Sequence, residues 1–221
     1  MFFLKTIYHW IVDLIFPHVC PLCHSIIKDH SSVKKNILFC TLCLSNNKEV
    51  VPIRITYRSY IIPVYSLYLY DDICQILYGK YHKKSHYYDF LGSQMSLYIK
   101  KYNMFFDYIV YVPQNRIRKA LRWFNHAELM ALQCGSGLHV EVLTNLLYAI
   151  KIRPAQATLS KEERIKNMKS AFSIEKGERI KGKKILIIDD IYTTGSTIKE
   201  IIALCSHYKP DSISVFVAAR Q

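Results

Sequence analysis

In the second half of the chain, short blocks of branched and aromatic residues alternate with segments of helical period. This pattern predicts a parallel sheet covered by helices. Strands are expected at Tyr108–Val112, Leu146–Ile150, Ile185–Ile188 and Ile213–Ala218, and helices at Asn125–Cys134, Ser160–Ser170 and Ser196–Ser206. Upstream, the β-branched and aromatic run Tyr60–Tyr70 reads as a further strand, followed by helical segments broken at Gly79–Ser85. The opening stretch, Met1–Phe16, is strongly apolar, but Lys5, His9 and Asp13 recur four apart and would line one stripe of a helix. It is too short and too interrupted for a transmembrane span, and no small-residue cleavage site follows it. It reads as a helix packed on the protein's own core, with peripheral membrane contact as the alternative. Three regions result: residues 1–51, a helix and a cysteine-bearing module; 52–103, a linking strand-helix hood; and 104–221, the α/β domain.

Composition adds a class and a preference for partners. The chain has 221 residues, 51% hydrophobic and 21% charged, which excludes a disordered chain and suits one main core plus an accessory piece. A formal net charge of +13 favours polyanions, phosphorylated small molecules or anionic lipid headgroups, without choosing among them.

Four of the seven cysteines, Cys20, Cys23, Cys40 and Cys43, form the pattern C-x2-C-x16-C-x2-C. Two such knuckles present four thiolates tetrahedrally, as structural zinc requires, and leave no open position for a catalytic water. Nothing else in the chain suggests redox chemistry, so Zn2+ is expected rather than an iron-sulfur cluster. His18, His24 and His30 are spare candidates, while Cys74, Cys134 and Cys205 sit in apolar or helical stretches and read as reduced residues in a cytosolic compartment.

The most informative stretch is Ile185-Leu186-Ile187-Ile188-Asp189-Asp190-Ile191-Tyr192-Thr193-Thr194-Gly195-Ser196-Thr197. A strand buried on both faces delivers two carboxylates to the carboxyl edge of the sheet, where ligands of open α/β folds bind. The hydroxyls of Thr193, Thr194, Ser196 and Thr197 and the amides of the following helix can hold a phosphate, with Gly195 letting the backbone close on it. Asp189 and Asp190 would then accept hydrogen bonds from ribose hydroxyls, with Mg2+ accompanying the ligand. Beyond Val112-Pro113, the cations Arg116, Arg118, Lys119 and Arg122 can hold a pyrophosphate. Between residues 79 and 88, Lys80, Tyr81, Lys83 and Lys84 interleave cations with rings, the pairing that binds single-stranded nucleic acid; a solvated basic turn is the alternative.

The apolar run, twin acids and T-T-G-x-T resemble the phosphoribosyl pyrophosphate (PRPP) motif of type I phosphoribosyltransferases. Taken with the cysteine pairs, Val112-Pro113 and its arginines, Arg122-Trp123-Phe124-Asn125-His126, the trio Gln156, Arg164 and Asn167, and Ala171-Phe172, the order resembles the ComF family of competence proteins from Cys20 to Arg220. Two positions depart from the family's usual R-G-F-N-Q: Trp123 stands for the glycine and His126 for the glutamine.

The resemblance implies a type I phosphoribosyltransferase-like parallel sheet flanked by helices, with a small N-terminal zinc module. It implies a PRPP or ribose-phosphate site at Asp189, Asp190 and Thr193 to Thr197, braced by Gln156, Arg164 and Asn167. It also implies a cytoplasmic role in natural transformation, handling single-stranded DNA at the inner membrane beside other DNA-uptake proteins. Two alternatives stay open: an active phosphoribosyltransferase on an unidentified acceptor, and a PRPP-sensing regulator. No catalytic residue can be assigned from the sequence.

Overall fold

The computed structural model describes residues 19, 20, 23, 25–27, 39, 40, 42, 43, 49–77, 85–114, 124–150 and 171–221. The helices expected over Met1–Phe16 and Ser160–Ser170 lie outside these residues.

A six-stranded sheet forms the centre. It contains β1 (Ile53–Tyr57), β2 (Tyr60–Leu69), β3 (Tyr108–Tyr111), β4 (Glu141–Val142), β7 (Lys184–Tyr192) and β8 (Ser212–Arg220), in the order β1-β2-β8-β7-β3-β4. Only the β1/β2 pair is antiparallel; the other neighbours run parallel. Helices α1 (Tyr70–Leu77), α2 (Ser85–Lys101) and α3 (His126–Leu138) lie on one face, and α4 (Ser196–Ser206) on the other.

Strand alternation explains why two cores form. Along β7, Leu186 and Ile188 enter the core beneath α1 to α3, while Ile185 and Ile187 enter the core beneath α4. β8 divides in the same way, with Phe216 and Ala218 on the first side and Val215 and Val217 on the second. A strand buried on both faces must be apolar throughout, and this is why these runs are visible in the sequence.

Helices α2 and α3 approach closely because Gly92 of α2 lies against the backbone of Met130; a Cβ there would sit 2.5 Å from the Met130 carbonyl oxygen. α3 begins one residue after the expected start, with Asn125 as its N-cap: the Asn125 side chain accepts from Ala127 N at 3.1 Å.

Two expectations need correction. Leu146–Ile150 does not supply a strand of the parallel sheet: Leu147–Ala149 (β5) pairs antiparallel with Phe172–Ile174 (β6) in a separate two-stranded sheet. The place beside β3 is taken by the two residues of β4 instead. The apolar run is extended, as its pattern predicts, but periodicity carries no information on which sheet a strand joins. Second, β7 does not stop before the acids: it pairs with β8 through Tyr192, so Asp189 and Asp190 lie within the strand. β7 stays paired with β8 on either side of Asp190, at Asp189 and again at Ile191 and Tyr192, while the Asp190 N–H turns to the Asp189 carboxylate.

Candidate functional site

The chain leaves β3 through α3 to reach β4 on one side, and leaves β7 through α4 to reach β8 on the other. These two connections cover opposite faces, so the carboxyl ends of β3 and β7 form a topological switch point, the place where open α/β sheets offer a crevice to ligands. Asp189 and Asp190 lie at this end of β7, and Val112 to Gln114 continue from β3; Val112 N donates to Ile188 O at 3.0 Å and fixes the two ends together.

The alternation of β7 sends the acids to opposite faces. Asp189 shares the register of Ile185 and Ile187 and is 9% exposed, whereas Asp190 shares that of Leu186 and Ile188 and turns toward α3. Asp190 N donates to Asp189 Oδ1 at 2.9 Å. Burial, reinforced by the neighbouring Asp190 charge, holds the Asp189 carboxyl well above the ordinary aspartate range. A buried carboxyl of this kind is an anion that the fold tolerates poorly unless donors surround it.

Beyond Tyr192, Thr193, Thr194 and Ser196 are exposed and Thr197 is half-buried. Gly195 caps α4 in the left-handed region, φ +72°, and its α-carbon packs on the Tyr192 ring, where a Cβ would approach the phenol oxygen to 2.4 Å. Glycine is therefore required twice over, by conformation and by space. Thr194 and Ser196 hydroxyls lie 3.3 Å apart. Hydroxyl groups and the first-turn amides of α4 thus share one turn, the composition that binds phosphoryl oxygens.

Two residues that the motif reading did not place in the site lie at this edge. His126 is fully buried in the first turn of α3, with Nδ1 3.5 Å from Asp190 Oδ2. It stacks on Tyr88 of α2, with centroids 3.9 Å apart and planes 13° from parallel. The amide oxygen of Gln114, just past the end of β3, is buried and has no hydrogen-bond partner among the described residues. His126 had a visible signal, its departure from the glutamine usual in the ComF motif that the sequence resembles; Gln114 had none. Beside His126, Asn125 Nδ2 donates to Val112 O at 3.0 Å and ties the start of α3 to β3.

The structure brings the seven residues from Asp189 to Thr197 named above to one edge. The other sequence candidates lie outside the described residues: Arg116, Arg118 and Arg122; Gln156, Arg164 and Asn167; and Lys80, Tyr81, Lys83 and Lys84. Ala171 is described, and its N–H donates to the Glu200 carboxylate of α4.

The four cysteines do converge. Their sulfurs all lie within 4.8 Å of one another, and Cys23 and Cys40 Sγ are 3.6 Å apart. A tetrahedron of Zn–S bonds of about 2.3 Å has edges of roughly 3.8 Å, so the donor set fits a zinc-sized ion. Cys43 N points at Cys40 Sγ at 3.4 Å, the kind of amide contact that supports a metal thiolate, and Cys20 N donates to Ser25 O across the first knuckle. Hydrogen bonds from Ser25 lower the Cys23 thiol to about 6, whereas burial pushes Cys40 and Cys43 up. Phe39, next to Cys40, is buried against Tyr68 and Phe90, with an edge-to-face contact to Phe90 at 4.9 Å. Among the described residues, no helix is long and apolar enough to cross a membrane.

The chain is similar to several known proteins. The phosphoribosyl transferase domain family matches residues 131–221, which contain β7, the acids and α4. Over 114 residues, 51% of this chain and 49% of the relative, the sequence is 33% identical to Competence protein F of Haemophilus influenzae. It is 31% identical to the DNA utilization protein YhgH of Escherichia coli over a similar span. The chain thus spans about half the length of the curated relatives it matches. Among solved structures, glutamine PRPP amidotransferase from B. subtilis complexed with ADP and GMP overlaps 65% of this chain and 30% of its own, with a TM-score of 0.45 and 14% identity. The mixed, mainly parallel sheet flanked by helices is a type I phosphoribosyltransferase-like fold, carrying a close group of four cysteines near its N-terminus.

Proposed function

We propose that this chain is a ComF-type protein that supports natural transformation, handling single-stranded DNA at the cytoplasmic side of the inner membrane, and that it binds PRPP or a related ribose phosphate at the β3–β7 crevice. The observation that carries the reading is the meeting of twin acids with a hydroxyl-rich helix N-terminus at a switch point of the sheet.

In this reading the turn from Thr193 to Thr197 takes the ribose 5-phosphate through its amides and hydroxyls. Asp190 and Asp189 accept from the ribose hydroxyls, which provide the donors that a buried carboxyl needs. Arg116, Arg118 and Arg122 hold the pyrophosphate, Mg2+ travels with the ligand, and Gln156, Arg164 and Asn167 brace the closed site. A structural Zn2+ on Cys20, Cys23, Cys40 and Cys43 secures the N-terminal module. Lys80, Tyr81, Lys83 and Lys84 engage the strand, helped by a net charge of +13. Other DNA-uptake proteins and the membrane surface are the expected company of such a protein. The relatives named for competence and for DNA utilization support this assignment.

The complete acid and phosphate motif also favours a second reading, turnover of PRPP on an unidentified acceptor. Pyrophosphate release from PRPP and magnesium, followed across candidate bases, separates the two: turnover replaces the binding module with an enzyme. Labelled single strands titrated at two salt concentrations test the DNA role. Affinity is expected to fall steeply with salt, and absent or salt-independent binding removes the electrostatic model.

A further inference from the structure

Asp189 and Asp190 are supported differently. Asp189 is enclosed by the sheet and receives the N–H of its neighbour. Asp190 keeps 17% of its side chain exposed, and His126 is among the groups that meet its carboxylate. A carboxylate serves a ligand best when its orientation is set before binding, because freezing side-chain torsions costs affinity.

His126 is placed to help set that orientation. Its ring is fully buried, and a buried imidazole is costly unless its nitrogens meet polar partners. The near-parallel stack on Tyr88 fixes the plane of the ring, and Tyr88 is itself fully buried and anchored by donating its hydroxyl to Ile76 O at 3.2 Å. Phe124 closes a further side, 5.4 Å from the imidazole. The helix start that carries the ring is locked to β3 by Asn125, and β3 is locked to the end of β7 by Val112. Ring and carboxylate therefore sit on one frame, with the buried Nδ1 3.5 Å from Asp190 Oδ2, an ion-pair distance longer than a formed hydrogen bond.

We propose that His126, clamped by Tyr88, is a positioning residue that presents the Asp190 carboxylate to ribose hydroxyls through an Nδ1–H donor. The proposal rests on reading Asp190 as a ribose-binding acid. It assigns a role to the residue by which this chain departs from the glutamine usual in the ComF-like motif.

The test separates packing from positioning. His126→Phe keeps a flat ring against Tyr88 and deletes Nδ1; His126→Asn places an amide where Nδ1 stands. In calorimetric titrations with PRPP and magnesium, His126→Phe is expected to bind about tenfold more weakly at unchanged thermal stability. His126→Asn is expected to recover most of that loss. Equal affinity of His126→Phe and the wild type, or an Asn variant no better than the Phe variant, overturns the proposal.

A second arm needs no ligand. In nitrogen-15 spectra of the imidazoles, the His126 Nδ1 signal of the intact protein is expected in the protonated position and to move in Asp190→Asn. An unmoved signal overturns the proposal. Should the wild-type protein bind no PRPP, the ribose-phosphate reading fails on that result, while the spectra still decide whether His126 holds Asp190.

Discussion

The cysteine module and the carboxyl edge of the sheet are ordered by different forces. Around the cysteines, Cys20 and Phe39 enter the core beneath α1 to α3, Ile27, Cys40 and Cys43 pack against it, and the four sulfurs gather within 4.8 Å of one another. At the sheet edge, Asp189, Asp190 and the Gly195 turn stand on two fully formed cores, one on each face of β7. A module held by ligand chemistry should fail when its ligand is removed, whereas a site held by burial should keep its shape and lose only its function.

Removing the metal is the harshest way to break the comparison. In small zinc modules, metal binding contributes roughly 10–16 kcal/mol to folding, so Cys40→Ser or a strong chelator should disorder the module while leaving the sheet intact. Elemental analysis and circular dichroism report this: zinc is lost, Phe39 becomes accessible, and the sheet signal persists. Collapse of the whole domain with the metal would show that the two regions are one folding unit.

Phe39→Ala comes next. The ring is 1% exposed and meets Tyr68 and Phe90, and truncating a buried phenylalanine costs about 3–5 kcal/mol. Urea unfolding of the zinc-loaded protein measures it; a loss under about 1 kcal/mol would mean that the metal alone docks the module.

These regions also differed in how far the sequence revealed them. The cysteine set is legible because its signal is local: two pairs at fixed spacing specify a tetrahedral donor set wherever the fold puts them. The strand before Asp189 is legible because burial on both faces demands continuous apolar residues. Three features of the edge were not legible. Glu141–Val142 is too short to show a period, yet it takes the sheet position expected of Leu146–Ile150. The continuation of β7 to Tyr192 depends on backbone pairing with β8, to which side-chain pattern is blind. His126 shows in the sequence only as a departure from the motif it resembles; its role depends on Tyr88 and Asp190, which lie on other elements.

Gly195→Ala probes the turn directly. A left-handed φ of +72° costs a non-glycine residue roughly 1–2 kcal/mol, and the new Cβ also meets the Tyr192 phenol. Thermal unfolding should register this modest loss, with a much larger loss of ribose-phosphate affinity. Unchanged affinity would remove the turn from the site.

The smallest expected effect is on stability against pH. Burial raises Asp189 above its unfolded value, so its favourable contribution is present at pH values below the unfolded carboxyl range and is lost as pH rises through the folded value. Asp189→Asn, which keeps an acceptor for Asp190 N, should therefore unfold at a higher temperature than the wild type at neutral pH, with the gap closing toward pH 4. A gap that widens on acidification would mean that Asp189 is stabilised as the anion.

The central claim is that the twin acids and the turn after them hold a ribose phosphate. Calorimetric titration of PRPP with magnesium into the wild type and into the Asp189→Ala/Asp190→Ala double variant tests it most directly. The account predicts a single saturable site in the wild type, no measurable heat of binding in the double variant, and the same zinc content in both. Binding of wild-type strength by the double variant would contradict it and place the ligand elsewhere on the protein.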